Sequence, residues 1–253
     1  ASSDKNVVSI KMTLYRVAKN SKIVKSLIKA AENGKEVVVL VELRARFDEE
    51  NNIHMARRLE KAGAHVIYGL VGLKTHSKCT LIIRREKDGI RRYVHVATGN
   101  YNASTAKLYT DLGIFTCSDT FGADASAFFN LLSGYSDPPV WDSFLVAPIN
   151  LRERCVALID REIQHVKNGE NGHIIAKMNS LLDSRMVDKL YEASQAGVKI
   201  ELIVRGICVL IPGIPGVSDN ITVRSLVGRF LEHSRVFWFN NGGREELYIG
   251  SAD

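Results

Sequence analysis

The sequence predicts an α/β protein built from two similar halves, and three observations carry that expectation. Apolar stretches of strand character alternate with amphipathic helical stretches along the chain, the order that lays strands side by side with helices on their faces. The clearest chain breaker, Ser136-Asp137-Pro138-Pro139, falls near the middle of the 253 residues. The landmarks of the first half then return in the same order in the second.

Residues 7–12 read as a strand. Asn20-Ser21 signals the start of a helix whose apolar face is Ile23, Val24, Leu27, Ile28 and Ala31, and Asn33-Gly34 ends it. Residues 37–43 form a continuous apolar run, the pattern of a strand buried on both faces of a parallel sheet. The charged residues 44–52 read as a loop at its carboxyl end, followed by a helix over 55–61 that stops at Gly63 and a strand over 65–68. Two strands joined by Lys87-Asp88-Gly89 follow, the second over 91–98, and a helix over 123–132 closes the half. Beyond the breaker, Asn150 with Glu153 resembles a capping box at the head of a helix. That helix has the face Leu151, Cys155, Leu158, Ile159, Ile163 and Val166, and ends at Asn168-Gly169.

The repeat then becomes visible. Ser9-Ile10-Lys11-Met12 sets against Ile175-Ala176-Lys177-Met178, and the helix end Ala30-Ala31-Glu32-Asn33-Gly34 against Ala193-Ser194-Gln195-Ala196-Gly197. Each is followed by an apolar strand that delivers arginine near its carboxyl end, Arg44 and Arg46 in one half and Arg205 in the other. His76-Ser77-Lys78 matches His233-Ser234-Arg235, and Thr98-Gly99-Asn100 matches Ile249-Gly250-Ser251. On a strand, residues two apart share a face, so His76 and Lys78 are expected to point together into one site. An imidazole beside a fixed cation suits attack on phosphorus, because the cation draws charge from the phosphate oxygens. A histidine and a cation in each half suggest a pseudo-twofold site at the carboxyl ends of the strands, where ligands of such sheets gather.

Composition narrows the function classes. With 45% hydrophobic and 25% charged residues the chain is an ordinary globular protein, and its net charge of +6 favours anionic partners. The four cysteines (Cys79, Cys117, Cys155, Cys208) show neither disulfide nor zinc spacing, which fits a reducing cytoplasm, and peripheral membrane association is compatible with that location. No apolar run is long enough to span a bilayer. The chain begins without methionine and stops at Gly250-Ser251-Ala252-Asp253, so it reads as a piece of a longer protein. No Walker-type Gly-rich loop occurs, which argues against a P-loop kinase.

With both His-x-Lys/Arg copies in view, the chain resembles the phospholipase D-like superfamily, whose signature is His-x-Lys-x4-Asp used twice. It departs from that signature at Ile83 and Asn240, where the aspartates belong, and at Arg235. The departures match one branch, the polyphosphate kinases. Lys74-Thr75-His76-Ser77-Lys78, Ala97-Thr98-Gly99-Asn100-Tyr101-Asn102, Phe230-Leu231-Glu232-His233-Ser234-Arg235 and Leu14-Tyr15-Arg16 are similar to signature segments of that family. The resemblance covers essentially the whole chain. It implies two phospholipase D-like α/β domains with mixed, largely parallel sheets, pseudo-twofold related. They would be residues 1–143 with His76 and residues 144–253 with His233, the second truncated.

The resemblance also implies roles. His76 would form a phosphohistidine with the γ-phosphate of ATP and pass the group to inorganic polyphosphate, reversibly. Lys78 would neutralise phosphate oxygens. His233 would protonate the leaving group or hold its oxygens, and Arg235 would clamp phosphate bidentately. Tyr109, Arg205 and His233 would contact ATP. Arg16 and Arg46 would mark the Mg²⁺-bearing phosphate site by gripping the oxygens that carry the ion, since guanidinium is no ligand for Mg²⁺. Asn100 and Asn102 are secondary candidates, and His54, His65, His95, His165 and His173 are expected to be structural or exposed. The implied partners are ATP or ADP, polyphosphate and the N-terminal domains of the parent chain in a homo-oligomer, with no nucleic acid. Two alternatives stand beside this reading. One is a phospholipase D-like phosphodiesterase acting on lipid or nucleic acid, which the missing aspartates disfavour. The other is a polyanion-binding module without turnover, which would need only Lys and Arg.

Overall fold

The computed structural model describes residues 1–18, 20–43, 49–70, 72–134 and 140–253. The chain divides into two units, Ala1–Leu108 with Leu112–Phe144, and Tyr109–Asp111 with Leu145–Asp253. The breaker 136–139 and the arginines Arg44 and Arg46 lie outside the described residues.

In chain order the first stretch gives β1 (Val7–Leu14), α1 (Lys22–Glu32), β2 (Glu36–Val41), α2 (Glu49–Lys61), β3 (His65–Ile67), β4 (Cys79–Glu86) and β5 (Gly89–Ala97). After β6 (Tyr109–Thr110), which belongs to the second unit, come β7 (Gly113–Thr116) and α3 (Asp119–Leu132). The sheet of the first unit has the order β3-β2-β1-β4-β5-β7. Only β1, β2 and β3 pair in parallel; β4, β5 and β7 add antiparallel ladders. The sheet is mixed, with its parallel part confined to the strands that helices connect. β2 is buried from Val37 to Val41 as its unbroken apolar run requires, and α1 packs Val24, Leu27 and Ala30 inward. Ser21 caps α1, its side chain accepting from the Val24 amide at 3.3 Å. α2 begins at Glu49, inside the stretch read as a loop. Glu49 and Glu50 stand in its first turn, where the helix dipole favours carboxylates.

One polar group in this core merits a test. Asp124 on α3 is 3% exposed and accepts the amides of Asp142 (3.3 Å), Ser143 (2.6 Å) and Phe144 (2.8 Å), fixing the chain where it leaves α3. Trp141 and Phe144 stack there at 6.3 Å. Replacing Asp124 with Ala removes the acceptor for three amides. The expected cost is about 2–4 kcal/mol, since hydrogen bonds to charged groups contribute about 1.5–3 kcal/mol each and water can reach part of this segment. Urea unfolding of Asp124→Ala against wild type measures it; a loss below about 0.5 kcal/mol would refute the anchoring role.

The second unit comprises α4 (Leu151–Lys167), β8 (His173–Met178), α5 (Ser184–Gln195), β9 (Lys199–Val204), β10 (Ile221–Arg224), β11 (Leu231–Glu232), β12 (Arg235–Phe239) and β13 (Glu246–Gly250). Its sheet runs β10-β9-β8-β12-β13, and β11 pairs in parallel with β6. α4 and α5 bury Leu158, Ile159, Ile163, Val187 and Leu190 against Ile174, Ile200 and Leu202 of the strands. The expected capping box at Asn150 does not form: the side-chain Oδ1 of Asn150 accepts from the Val146 amide at 2.6 Å, and Glu153 pairs with Arg185. The true cap of this type is Asp183, which accepts from the Met186 amide at 3.0 Å at the head of α5.

The strand registers correct the alignment of the repeat. In the first unit Met12 lies opposite Thr80, so Thr13 faces Cys79; in the second, Lys177 faces Val236. Cys79 and Val236 each stand three residues after the histidine, so Lys177 is the counterpart of Thr13, not of Lys11. The parallel ladders agree, pairing Leu14 with Val41 and Met178 with Val204. Side chains confirm the equivalence. Thr13 Oγ1 donates to the Ser77 carbonyl at 2.9 Å, and Lys177 Nζ donates to the Ser234 carbonyl at 3.1 Å. Among the described residues no helix is long and apolar enough to cross a membrane.

Candidate active site

In the first unit the stretch from Lys74 to Lys78 precedes β4 rather than opening it, and runs alongside the end of β1. Its backbone is held from one side. Thr13 Oγ1 accepts from the Cys79 amide at 3.0 Å, and the buried carboxylate of Glu42 accepts from the Thr75 amide at 2.7 Å. The alternate residues Lys74, His76 and Lys78 gather around the ring of Tyr15. The His76 imidazole meets it edge-on at 4.8 Å and 75°, and the ammonium groups of Lys74 and Lys78 lie 5.3 and 5.2 Å from its centroid. Arg16, next in the chain, places its guanidinium 5.6 Å from the same centroid. Lys78 is 3% exposed, and its ammonium donates to the His76 carbonyl, so one of its donors fixes the backbone under the imidazole.

Asn102, His95 and Cys79 of this unit have surroundings of their own. Asn102 caps a turn, accepting from the Ser104 and Thr105 amides at 2.9 and 3.3 Å. His95 bonds the Tyr101 hydroxyl at 2.8 Å, and burial pushes its imidazole below the usual range. Burial pushes the Cys79 thiol up to about 12, which removes it as a nucleophile near neutral pH.

In the second unit His233 is 7% exposed. Its Nδ1 meets Asp111 Oδ1 at 2.7 Å, and Tyr109 lies against its ring at 5.0 Å. A carboxylate can only accept, so Nδ1 carries a proton in this pair and Nε2 is the nitrogen outside it. The parallel pairing of β6 with β11 sets this contact, with Leu231 opposite Tyr109 and Glu232 opposite Thr110. Lys177 bonds Ser234 Oγ at 2.6 Å and Glu232 at 3.2 Å, holding both neighbours of His233.

Arg235 departs from expectation. Its Nη1 donates to the His233 carbonyl, while Nε and Nη2 grip Asp253 at 3.2 and 3.0 Å. At 3% exposure its Nε, Nη1 and Nη2 are all engaged with Asp253 or the His233 carbonyl. Burial would raise the Asp253 carboxyl, but the Arg235 bond and charge, with the Asn179 amide at 2.7 Å, hold it below the ordinary range. Asn179 continues the network, its side-chain oxygen accepting from Arg205. Arg205 is thereby linked to His233 through Asn179, Asp253 and Arg235. Its Nη1 is buried with no partner among the described residues, an unusual state that an anion would relieve.

The expected residues thus fall into two sets. His76, Lys78 and Arg16 meet around Tyr15; His233, Tyr109, Arg235 and Arg205 share one network; Arg46 lies outside the described residues. Tyr15, Glu42, Asp111, Lys177 and Asp253 were not among the site residues the sequence suggested. Tyr15 stood in the segment Leu14-Tyr15-Arg16 and Lys177 in the repeated Lys-Met pair, while the other three carried no such signal.

The comparisons with known proteins decide the family. Residues 1–138 match the model of polyphosphate kinase C-terminal domain 1, and residues 144–253 that of C-terminal domain 2. The chain belongs to the polyphosphate kinase family. It is 62% identical over all 253 residues to a polyphosphate kinase of Synechocystis sp. and 60% identical to one of Halalkalibacterium halodurans. It spans 35% and 36% of their lengths. The crystal structure of polyphosphate kinase from Porphyromonas gingivalis matches with a TM-score of 0.90 at 44% identity, over 100% of this chain and 42% of that one. A phosphatidylserine synthase of Haemophilus influenzae matches with a TM-score of 0.54 at 10% identity, over 92% of this chain and 71% of that one, a likeness of fold alone. The family placement agrees with the departure from the phospholipase D-like signature at Ile83 and Asn240. Ile83 is a β4 residue paired with Arg92, and Asn240 is tied to the Asn171 carbonyl at 2.7 Å, so neither position offers a carboxylate.

Proposed function

We propose that this chain is the catalytic portion of an ATP:polyphosphate phosphotransferase acting reversibly through a phosphohistidine at His76. The observation that carries the reading is the grouping of His76 with the cations Lys74, Lys78 and Arg16 in a polyphosphate kinase domain. An imidazole nitrogen attacks the γ-phosphorus, the phosphorus–oxygen bond to ADP breaks, and the surrounding cations take up the displaced charge. A terminal oxygen of polyphosphate then attacks the same phosphorus, and the phosphorus–nitrogen bond breaks. His233 in its protonated form, with Asp111 accepting from Nδ1–H, offers Nε2–H to the leaving oxygen as hydrogen-bond or proton donor. Tyr109 and Arg205 are assigned to ATP, Arg205 through its partnerless Nη1.

Magnesium enters this reading with the nucleotide. Among the described residues no three His, Cys, Asp or Glu side chains are placed to hold a metal ion, and Arg16 offers a cation instead of an oxygen donor. The donor set therefore does not fit a protein-held Mg²⁺, whereas guanidinium groups fit the phosphate oxygens that carry the ion. Since the chain spans about a third of its relatives' length, the rest of the parent protein is assigned to completing the nucleotide pocket.

The test uses the full-length parent with Mg²⁺ and γ-labelled ATP. Wild type is expected to carry a label that survives alkali and is lost in acid. His76→Ala should lower labelling by at least about a thousandfold, the scale of removing a covalent nucleophile. Equal labelling of the variant would move the phosphoryl carrier elsewhere and end this assignment.

A further inference from the structure

We propose that Tyr15 is a positioning residue for His76, holding it and its cations through the face and edge of one ring; this rests on the reading of His76 above. Tyr15 follows β1 and is 9% exposed, yet it stands outside the unit's apolar cluster, which passes through Leu14 and Val17. Its ring meets the polar groups of His76, Lys74, Lys78 and Arg16. The alternation of an extended chain turns Lys74, His76 and Lys78 to one side, and all three converge on this ring. With Arg16, three cationic groups lie between 5.2 and 5.6 Å from a single centroid. An aromatic ring draws cations to its face through its quadrupole, and the attraction strengthens where water is excluded, as at Lys78.

The ring is itself fixed from behind. The Tyr15 carbonyl accepts from Asn52 Nδ2 at 2.9 Å, and the same amide donates to the Glu42 carbonyl at 2.8 Å. Glu42 in turn holds the Thr75 amide. Tyr15 and the His76 stretch are thus registered through one residue, and Asn52 is fully buried. The arrangement is particular to this unit. The strand registers make Asn179 the counterpart of Tyr15, and Asn179 binds Arg205; the aromatic neighbour of His233 is Tyr109, from a different part of the chain. The repeat would have supplied an aromatic at Asn179 had the ring been a requirement of the fold.

The experiment replaces Tyr15 in the full-length protein by Phe, by phenylalanines of increasing ring fluorination, and by Leu. It reads the single-turnover rate of label transfer from γ-labelled ATP beside the unfolding temperature. Phe should stay within about twofold of wild type. The rate should fall with each loss of ring electron density, reaching about tenfold for the most fluorinated ring, while the unfolding temperature holds. Leu should fall at least as far; if it fails to fold, the fluorinated series decides alone. A flat series on a wild type that labels normally overturns the role of Tyr15 and leaves the phosphohistidine standing. A wild type that takes no label overturns both.

Discussion

Asp111→Ala is expected to lower the turnover of the full-length enzyme about a hundredfold or more, with KM for ATP changed by less than about threefold. The carboxylate meets Nδ1 of His233 at 2.7 Å. It fixes the ring's orientation and favours the protonated imidazole, whose Nε2–H is the donor in the proposed role of His233. Without it the imidazole samples two tautomers and more than one rotamer. The penalty falls on the chemical step, because Tyr109 still lies against the ring and the ATP contacts assigned to Arg205 are untouched. Asp111→Asn should be no better than Ala, since the uncharged amide no longer stabilises the protonated imidazole. The Asp111 side chain is 22% exposed, so folding should be little affected, and the unfolding temperature serves as the control. Steady-state kinetics decide the matter: an unchanged kcat in both variants, or a loss confined to KM, would sink the positioning role.

That residue also marks the limit of what a sequence yields. The α/β class, the mixed sheets and the doubled histidine followed by α/β structure were legible because hydrophobic period and helix signals are local. Asp111 was not, since it stands 122 residues from His233 and the contact depends on β6 pairing with β11, each only two residues long. Strands that short leave no periodic trace. The repeat shows a subtler limit. The shared Lys-Met pairs suggested one alignment, and the ladders impose another, two residues away. Strand periodicity has a period of two, so a slip of two preserves every inward and outward position and the pattern cannot choose between the registers. Partners chose, through Thr13 and Lys177 reaching equivalent carbonyls. Arg235 shows the same thing in electrostatics. A guanidinium near a candidate phosphate site reads as a phosphate ligand until its carboxylate is found, and Asp253 is found only in three dimensions. The charged start of α2 misled for a different reason: Glu49 and Glu50 look like loop residues to a hydrophobic pattern, yet the first turn of a helix is where carboxylates are favoured.

Arg235→Ala carries the largest expected loss of stability. The guanidinium is 3% exposed, and removing it leaves the Asp253 carboxylate without its cation and the His233 carbonyl without its donor. Breaking a buried pair costs about 3–5 kcal/mol, and the Asp253 side chain at 27% exposure places this case near the lower figure. A fall of roughly 10 °C in the transition that unfolds the second unit is the corresponding shift. Arg235→Lys keeps the charge but cannot grip two oxygens side-on, so it should recover only part of the loss. The pH dependence supplies an independent check. The Asp253 carboxyl is held below its ordinary range in the folded protein, so folding is favoured where that group is ionised in both states. The contribution is complete above the unfolded value of about 4 and is lost as pH falls from there toward the folded value. The difference in unfolding free energy between wild type and Arg235→Ala should therefore be constant from about pH 5 to 7 and shrink below about pH 4. Urea unfolding at pH 3.5, 5 and 7 measures it. A difference that stays the same at the lowest pH would mean that Arg235 stabilises through packing of its stem, and that the charge of Asp253 is not what holds the His233 segment.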